Sequence, residues 1–180
     1  MFPCVLKKDQ YMKNRETRIY NIILPFWLLV WFPSWLWLIL IPFNYLIDLL
    51  VTTLAMKKLG IEDYRKKALE RSGMICLIGF ISDFIGAAFL LLAYFVIGQS
   101  KSDFAYDIIY GLGWSLYNNI FALFIVLIGI AIAGACIYFL NAWLLRRDSE
   151  LSIEQVKKIA LYLAIFTAPY TFLIPTSLFY

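Results

Sequence analysis

The stretch that decides the fold runs over residues 19–56, IYNIILPFWLLVWFPSWLWLILIPFNYLIDLLVTTLAM, in which Asp48 is the single charged side chain. A helix crosses the hydrocarbon core of a bilayer in about 20 residues, so these 38 residues exceed one crossing. Pro25, Pro33 and Pro42 interrupt the stretch. We therefore predict a proline-broken hairpin over 19–56, built either as two thin spans or as a re-entrant pair.

The hairpin is predicted to turn at Pro33. Proline disfavours helical geometry at the residue before it, and tryptophan is enriched at the membrane–water interface. Four tryptophans surround this point: Trp27, Trp31, Trp35 and Trp37. A turn near Pro42 would reverse the relative lengths of the two legs, and it stays open as an alternative.

Three further apolar blocks follow the hairpin, over 74–98, 117–145 and 159–179. Each block is long enough for one crossing of a bilayer. The chain is 63% hydrophobic and only 16% charged, a composition too apolar for an ordinary soluble domain. The predicted fold is all-α and integral to the membrane, a single domain over 1–180 in which the hairpin is followed by three transmembrane helices.

The distribution of the 16 Lys and Arg residues predicts the topology. Five lie in 1–18, six in 57–72, four in 146–158 and one in 99–116. Cytoplasmic loops are enriched in Lys and Arg. We therefore expect the N-terminus, 57–73 and 146–158 in the cytoplasm, with 99–116 and the C-terminus outside. This topology explains the net charge of +4, so the expected partner is the lipid bilayer and no nucleic acid.

Shorter patterns predict the local structure of the connections. Residues 61–71 are typical of a short charged helix that ends before Gly73. Ser152-Ile153-Glu154-Gln155 fits the capping box that opens a helix. The aromatic-rich stretch 103–114 is expected at the outer interface, and Asn141 is expected to reach the inner interface. Two asparagines near the outer end of their span are expected to be caps or interfacial groups: Asn118 and Asn119.

Residue types that carry chemistry are few. The chain has no histidine, which removes every mechanism that uses imidazole as a base or a metal ligand. Cys4, Cys76 and Cys136 have no metal-ligand or redox spacing, and we expect them to be small buried hydrophobic side chains. No nucleotide-binding, metalloprotease or hydrolase motif occurs. We therefore expect no cofactor, no metal and no catalytic residue, and the sequence does not indicate an enzyme.

Two aspartates, Asp48 and Asp83, are the only charged residues inside the apolar blocks. Asp48 lies nine residues before Lys57, and Asp83 lies nine residues after Met74, the first residue of its apolar block; either separation is about 13 Å along a helix. Asn44 lies one turn before Asp48, and Ser82 adjoins Asp83. Because their helices are joined by a short loop, they should be antiparallel neighbours whose carboxylates face each other.

Two interpretations of these acids remain open. As a functional site with Asn44 and Ser82, the pair would bind a cation or share a proton, because intramembrane carboxylates commonly mark ion paths and proton relays. As structural anchors, the acids would be protonated or hydrogen-bonded to Tyr, Asn, Thr52 or Thr53, and would hold the helices in register.

Small residues form a second pattern. They recur at helical spacing along two of the predicted spans: Gly79, Ser82 and Gly86 on 74–98, and Ala122, Gly129 and Ala133 on 117–145. Such faces let helices approach closely. We therefore expect the two faces to pack against each other, in preference to lining a conduit.

Five short strings carry a resemblance to a known family: Leu24-Pro25-Phe26-Trp27, Phe32-Pro33-Ser34-Trp35, Asn44-Tyr45-Leu46-Ile47-Asp48, Ser82-Asp83-Phe84-Ile85-Gly86 and Phe166-Thr167-Ala168-Pro169-Tyr170. In these strings the chain resembles a family of uncharacterised small multi-pass membrane proteins from Firmicutes-type bacteria. The resemblance covers nearly the whole chain. It implies a location in the bacterial plasma membrane and implies nothing about activity.

The sequence supports three functional hypotheses. The first is a channel- or transporter-like protein for a cation or proton, or the membrane subunit of such a system, with Asp48 and Asp83 as its site. The alternative is an accessory or scaffold membrane protein in which the acids are structural. The third is an intramembrane lipid-modifying enzyme. Besides the bilayer, these functions would use a second copy of the chain or a membrane partner subunit.

Overall fold

The computed structural model describes residues 37–147 and 150–178. Within these ranges the chain forms α-helices joined by short turns, and it contains no strand. The predicted all-α class is therefore confirmed for this part of the chain. The helices are α1 (Trp37–Lys58), α2 (Tyr64–Gly98), α3 (Asp103–Gly113), α4 (Ile120–Leu145) and α5 (Ile153–Phe166), with short 3₁₀ turns at Leu116–Asn118, Tyr170–Leu173 and Thr176–Leu178.

Four of the helices pack as a ring. α1 contacts α2 and α5, and α4 contacts the same two helices from the opposite side. Large apolar side chains such as Leu38, Phe95 and Phe139 are more than half exposed on the outside. Four segments are long and apolar enough to cross a membrane: Trp37–Lys58, Tyr64–Gly98, Ile120–Leu145 and Ile153–Leu173. These features are consistent with the predicted multi-pass membrane protein, in which lipid replaces water around the bundle.

Two apolar cores lie one above the other inside the bundle. We name the basic end after Lys57, Lys58, Arg146 and Arg147, which lie where α1 and α4 end. The basal core, near this end, consists of Ala55, Met56, Ile61, Ala68, Ile75, Ile137, Ala142, Leu145, Leu151, Val156, Ile159, Ala160 and Leu163. The distal core consists of Ala87, Leu90, Ile108, Leu112, Leu116, Ala122, Val126, Ile130 and Phe172. Residues 76–86 of α2 therefore lie between the two cores.

The turn between α1 and α2 differs from the prediction. α2 begins at Tyr64 and continues through Gly73 to Gly98, so the prediction of a separate charged helix that ends before Gly73 is wrong. A Cβ built on Gly73 meets no atom within 4 Å, and nothing there forces the helix to end. The chain turns instead at Gly60 and Asp63, which adopt positive φ angles of 67° and 51°.

Pro42 lies inside α1, which runs unbroken from Trp37 to Lys58. The alternative turn near Pro42 is therefore wrong. Membrane helices tolerate proline because neighbouring groups satisfy the carbonyl that it leaves unbonded. The predicted turn at Pro33 and the first leg of the hairpin lie outside the described residues.

The last apolar block is built differently from the single span predicted over 159–179. α5 begins earlier, at Ile153, with Ser152 of the predicted capping box as its N-cap. This box is confirmed, because the Gln155 N–H donates to Ser152 Oγ and the Ser152 N–H donates to Gln155 Oε1. α5 then ends at Phe166, and 3₁₀ turns follow it.

Pro169 explains why α5 ends there. Proline has no N–H to donate to the carbonyl four residues earlier, which belongs to Ile165. The Tyr170 hydroxyl donates to this carbonyl instead, at 2.6 Å. α5 is therefore only about 21 Å long, and the segment reaches spanning length only with the 3₁₀ turn that ends at Leu173.

The end of the bundle opposite the basic end carries α3, within the stretch predicted to lie at an interface. Its outer side presents exposed aromatic side chains: Phe104, Tyr106 and Tyr110. The next helix, α4, is capped by Asn119, whose Oδ1 accepts from the N–H groups of Phe121 and Ala122. The prediction that Asn119 is a cap is confirmed.

The interface between α2 and α4 provides a test of the packing. A Cβ built on Gly86 would lie 3.0 Å from Ala133 Cβ and 3.0 Å from Gly129 O, so Gly86→Leu must push the two helices apart. We expect a loss of about 1–3 kcal/mol of stability, measured as a lower melting temperature in detergent. Gly73→Leu is the matched control in the same helix, because that position is open. Equal melting temperatures for the two variants would contradict the packing.

Candidate functional site

Asp48 lies on the inner side of α1 and is only 4% exposed. A Cβ built on Gly79 of α2 would lie 3.6 Å from Asp48 Oδ2, so the carboxyl rests against a part of α2 that has no side chain. The side chain of Asp48 also lies beside Cys76 on α2 and Thr167 just beyond α5. One buried acid thus joins three elements of the bundle.

Asp83 lies on the same face of α2 as Gly79 and Cys76, since these positions are spaced at i, i+3 and i+7 from Cys76. Asp83 interacts electrostatically with Asp48, and the Cys76 thiol interacts with both acids. Asp83 Oδ1 is buried and has no hydrogen-bond partner in the part of the chain that the structure describes. The structure therefore brings the two acids together.

An aromatic stack stands beside Asp83. Trp37 of α1 stacks on Phe80, with ring centroids 5.9 Å apart, and its ring lies 6.0 Å from that of Phe84. Phe80 and Phe84 flank Asp83 along α2. Aromatic rings exclude water and lower the local dielectric, so they raise the free-energy cost of an ionised carboxylate beside them.

The Thr167 hydroxyl lies beside the Asp48 side chain. It donates its proton to Leu163 O, one turn back along α5, at 2.9 Å. Thr167 therefore brings the end of α5 against the acid on α1.

The site lies at the middle of the bundle, where α5 ends. A Cβ built on Gly134, near the centre of α4, would lie 3.5 Å from Ala164 O and 4.0 Å from Ala168 Cβ. The end of α5 is therefore level with the middle of α4. Broken helices near the membrane midplane are where secondary transporters form ion and substrate sites, because helix ends present unpaired backbone groups.

Within residues 37–147 and 150–178, no Lys or Arg forms an ion pair with either acid. The ion pairs Lys67–Glu150 and Lys158–Glu154 lie near the basic end. No group of three or more His, Cys, Asp or Glu side chains in those ranges is arranged to hold a metal ion. Since each charge at the centre of a bilayer costs about 2.5–3.5 kcal/mol, a shared proton suits this pair better than a bound metal.

The other predicted site residues lie near the pair without bonding to it. Ser82 is fully buried, but its hydroxyl donates to a carbonyl of its own helix at 2.8 Å. Asn44 is half-buried one turn before Asp48, and it makes no hydrogen bond to either acid among the described residues. Thr53, considered as a partner of the acids, also donates to a carbonyl of its own helix.

The small residues of α2 face two different neighbouring helices. Gly86 faces Ala133 and Gly129 across the α2–α4 interface, which is the contact expected of the two small-residue faces. Gly79 faces Asp48 on α1 instead, so the prediction that Gly79 packs on the 117–145 helix is wrong. Gly79 and Gly86 are about two turns apart and lie on nearly the same side of α2, so the helix that meets this side changes from α1 at Gly79 to α4 at Gly86.

Sequence reasoning missed part of the neighbourhood of the acids. Cys76 is buried as expected, at 6% exposure, but nothing in the sequence marks it as a neighbour of both acids. One sequence feature could have pointed to Thr167. It lies just before Ala168-Pro169, and a proline disfavours helical geometry at the residue before it. Asn141 is fully buried within the bundle, which its place near the end of its span does not indicate. Ring packing places its side of α4 inward.

A cavity of about 640 Å³ opens at the basic end. Its lining is mostly charged and includes Glu62, Lys66, Lys67, Glu70, Arg71 and Glu150. Neither Asp48 nor Asp83 lines it. The cavity therefore does not join the acids into a cleft of the kind that a lipid-modifying enzyme would use.

The contact between α1 and α2 at the site can be tested by cross-linking. With the native cysteines replaced by alanine, Asp48→Cys and Gly79→Cys place two thiols across the interface, because Asp48 Oδ2 lies 3.6 Å from the Gly79 Cβ position. We expect a disulfide under mild oxidant, detected as protection of both thiols from alkylation. The control pair is Asp48→Cys with Gly73→Cys, because Gly73 lies about 9 Å from Gly79 along the axis of α2. Equal cross-linking of the two pairs would contradict the contact.

Comparison with known proteins was made at three levels. No family model, curated protein or solved structure matches the chain. Function is therefore inferred from the geometry of Asp48, Asp83 and the end of α5.

Proposed function

We propose that this protein is a small channel- or transporter-like membrane protein that moves protons, alone or as the membrane subunit of a larger system. Asp48 and Asp83 are its proton-binding pair. The observation that carries the proposal is the interaction of buried Asp48 with Asp83, whose Oδ1 is buried without a hydrogen-bond partner in the described ranges.

The pair has the properties that proton binding requires. Two carboxylates that interact in a medium of low dielectric repel each other, so a single proton held between them relieves the repulsion and one buried charge. The unpartnered Oδ1 of Asp83 remains available to accept a proton or a water molecule. A proton can therefore be taken up or released without rebuilding the surrounding hydrogen bonds.

The position of the pair supports transport for a second reason. The acids lie beside the end of α5, at the level of Gly134 in the middle of α4. Apolar cores lie on both sides of them, one towards the basic end and one away from it, so transport would require one conformation that opens to each side. Alternation between two such conformations is how transporters with broken helices move their substrates.

For the orientation, we propose that the basic end faces the cytoplasm of a bacterial cell, with the N-terminus inside and the C-terminus outside. The support is the excess of Lys and Arg at that end, including Lys57, Lys58, Arg146 and Arg147, against Lys101 near the opposite end. A second copy of the chain or a membrane partner subunit would contact the exposed apolar sides of the ring.

An accessory or scaffold role is the second candidate, and one observation favours it. Asp48 contacts Cys76 on α2 and Thr167 beyond α5, so it holds three elements together whether or not it exchanges its proton. In that role the hydrogen bonds of Asp48 matter and its titration does not. Substitution by asparagine separates the two candidates.

Proton flux in proteoliposomes tests the proposed function. Asp48→Asn and Asp83→Asn keep the shape of each side chain but cannot bind and release a proton, so we expect each to reduce flux by about tenfold or more. Asp107→Asn, on the exposed side of α3, is the matched control and should retain full flux. Melting temperatures close to that of the unaltered protein would show that the folds are intact.

Two outcomes would decide against the proposal. Unchanged flux in both Asp48→Asn and Asp83→Asn would remove the acids from any proton path. If those variants are silent while Asp48→Leu prevents folding, the structural role of the second candidate is supported, because leucine leaves the partners of Asp48 unbonded.

A further inference from the structure

The cavity at the basic end lies between two connections of the bundle. One wall is formed by the α1–α2 turn and the first turns of α2, from Gly60 to Arg71. The other wall is formed by Glu150 and Gln155, beside the start of α5. The volume of about 640 Å³ falls in the range of cavities that hold small ligands. The cavity therefore has room for a ligand.

Two contacts hold the walls of this cavity together. Lys67 Nζ lies 2.5 Å from Glu150 Oε2, which joins α2 to the connection between α4 and α5. Gln155 Nε2 donates to Leu59 O at 3.4 Å, which joins the start of α5 to the α1–α2 turn. Gln155 is also fixed by its capping box with Ser152. The shape of the cavity is therefore set by the packing of the bundle before any ligand binds.

The charges around the cavity have both signs. Within the described residues, its cations are Lys66, Lys67 and Arg71, and its acids are Glu62, Asp63, Glu70 and Glu150. A ligand with negative charge alone would be repelled by the acids, and one with positive charge alone by the cations. No cluster of three or more His, Cys, Asp or Glu side chains in those residues is arranged to hold a metal ion. A ligand that carries one charge of each sign suits this lining best.

Lys66 and Glu70 are the two charges best placed for such a ligand. They lie four residues apart on α2, hence on one face of the helix, and both line the cavity. Neither forms an ion pair with another residue that the structure describes. Lys66 can therefore meet an anionic group, while Glu70 and Glu62, on either side of Lys66 along the chain, meet a cationic group.

The lining also selects the kind of cationic group. Quaternary ammonium groups are recognised by the faces of aromatic rings, and no aromatic side chain in the described part of the chain lines this cavity. A primary ammonium, like that of lysine, carries three N–H donors. The carboxylates of Glu62 and Glu70 can accept from these donors in charge-assisted hydrogen bonds. On the anionic side, a lysine such as Lys66 binds phosphate as a point charge.

The depth of the cavity indicates the source of such a ligand. The continuous apolar block of α2 begins at Met74, whose side chain is exposed on the outside of the bundle. Glu70 lies four residues before Met74, which is about 6 Å along the helix. The headgroup region extends about 5–7 Å beyond the hydrocarbon on each side of a bilayer. Glu70 therefore lies at the depth of lipid headgroups.

We propose that this cavity binds a phosphoethanolamine group, the headgroup of a zwitterionic phospholipid, with its phosphate at Lys66 and its primary ammonium at Glu70 and Glu62. The site is separate from the acid pair, because neither Asp48 nor Asp83 lines the cavity. The inference therefore does not rest on proton transport. It assigns one lipid of the leaflet at the basic end to a fixed place on the protein.

Melting temperatures of the full-length protein in one detergent test the site. The probes are phosphatidylethanolamine, phosphatidylcholine and phosphatidylglycerol with the same short acyl chains, each titrated separately. A ligand that binds only the folded state raises the melting temperature as its concentration increases. We expect phosphatidylethanolamine to bind about tenfold more tightly than the other two, because choline has no N–H to donate and glycerol has no positive charge. Equal responses to the three lipids, or a stronger response to phosphatidylglycerol, would overturn the proposal.

Substitutions in the cavity test the assigned contacts. Lys66→Gln and Glu70→Gln each remove one charge, and each should weaken the binding of phosphatidylethanolamine by about tenfold. The matched controls are Lys157→Gln on α5 and Asp107→Asn on α3, which do not line the cavity and should bind like the unaltered protein. All four side chains are exposed, so the fold should remain intact. Equal affinities of Lys66→Gln and Lys157→Gln would contradict the site.

Free phosphoethanolamine, which has no acyl chains, distinguishes the two sources of the group. Binding of the lipid alone supports a site for the bilayer, and equal binding of the free group supports a site of the same chemistry for a soluble molecule. A response to neither probe would overturn the site. Failure of the proposed function has a different signature, since Asp48→Asn and Asp83→Asn would then retain full flux while Lys66→Gln still loses the lipid.

Discussion

Away from water, a polar group must find its hydrogen-bond partner inside the protein, because hydrocarbon offers none. The helices of this protein meet that constraint locally wherever they can, as Ser72 does by donating to a carbonyl of its own helix. Where Pro169 removes an N–H, the Tyr170 hydroxyl donates to the Ile165 carbonyl in its place. Asp48 has no cation beside it in the described ranges, and its side chain meets Cys76 on α2 and Thr167 beyond α5.

The end of α5 connects the fold with the site. Pro169 ends the helix level with Gly134, in the middle of α4, and this places Thr167 within reach of Asp48. Gly79 has no side chain where the Asp48 carboxyl meets α2, so the acid can approach α2 and interact with Asp83. Pro169, which ends α5, and Gly79, which has no Cβ, therefore help to position Asp48 and Asp83.

Much of the architecture could be predicted from the sequence, because it depends on length, hydropathy and local capping. The apolar spans, the capping box at Ser152 and the cap at Asn119 are of this kind. The positions at which the helices end were harder to predict. Glycine often follows the end of a helix, but Gly73 remains within α2, which continues to Gly98. The contact of Thr167 with Asp48 and the burial of Asn141 arise from the packing of distant segments, which no local pattern records.

Infrared difference spectroscopy of the protein in lipid measures most directly whether Asp48 and Asp83 hold one proton between them. A protonated carboxyl has a C=O stretching band that is separate from those of carboxylates and shifts in D₂O. Near neutral pH we predict one such band, lost or moved in both Asp48→Asn and Asp83→Asn, because a proton held by two coupled groups belongs to the pair. The absence of the band near neutral pH, or a band that neither substitution alters, would contradict the shared proton.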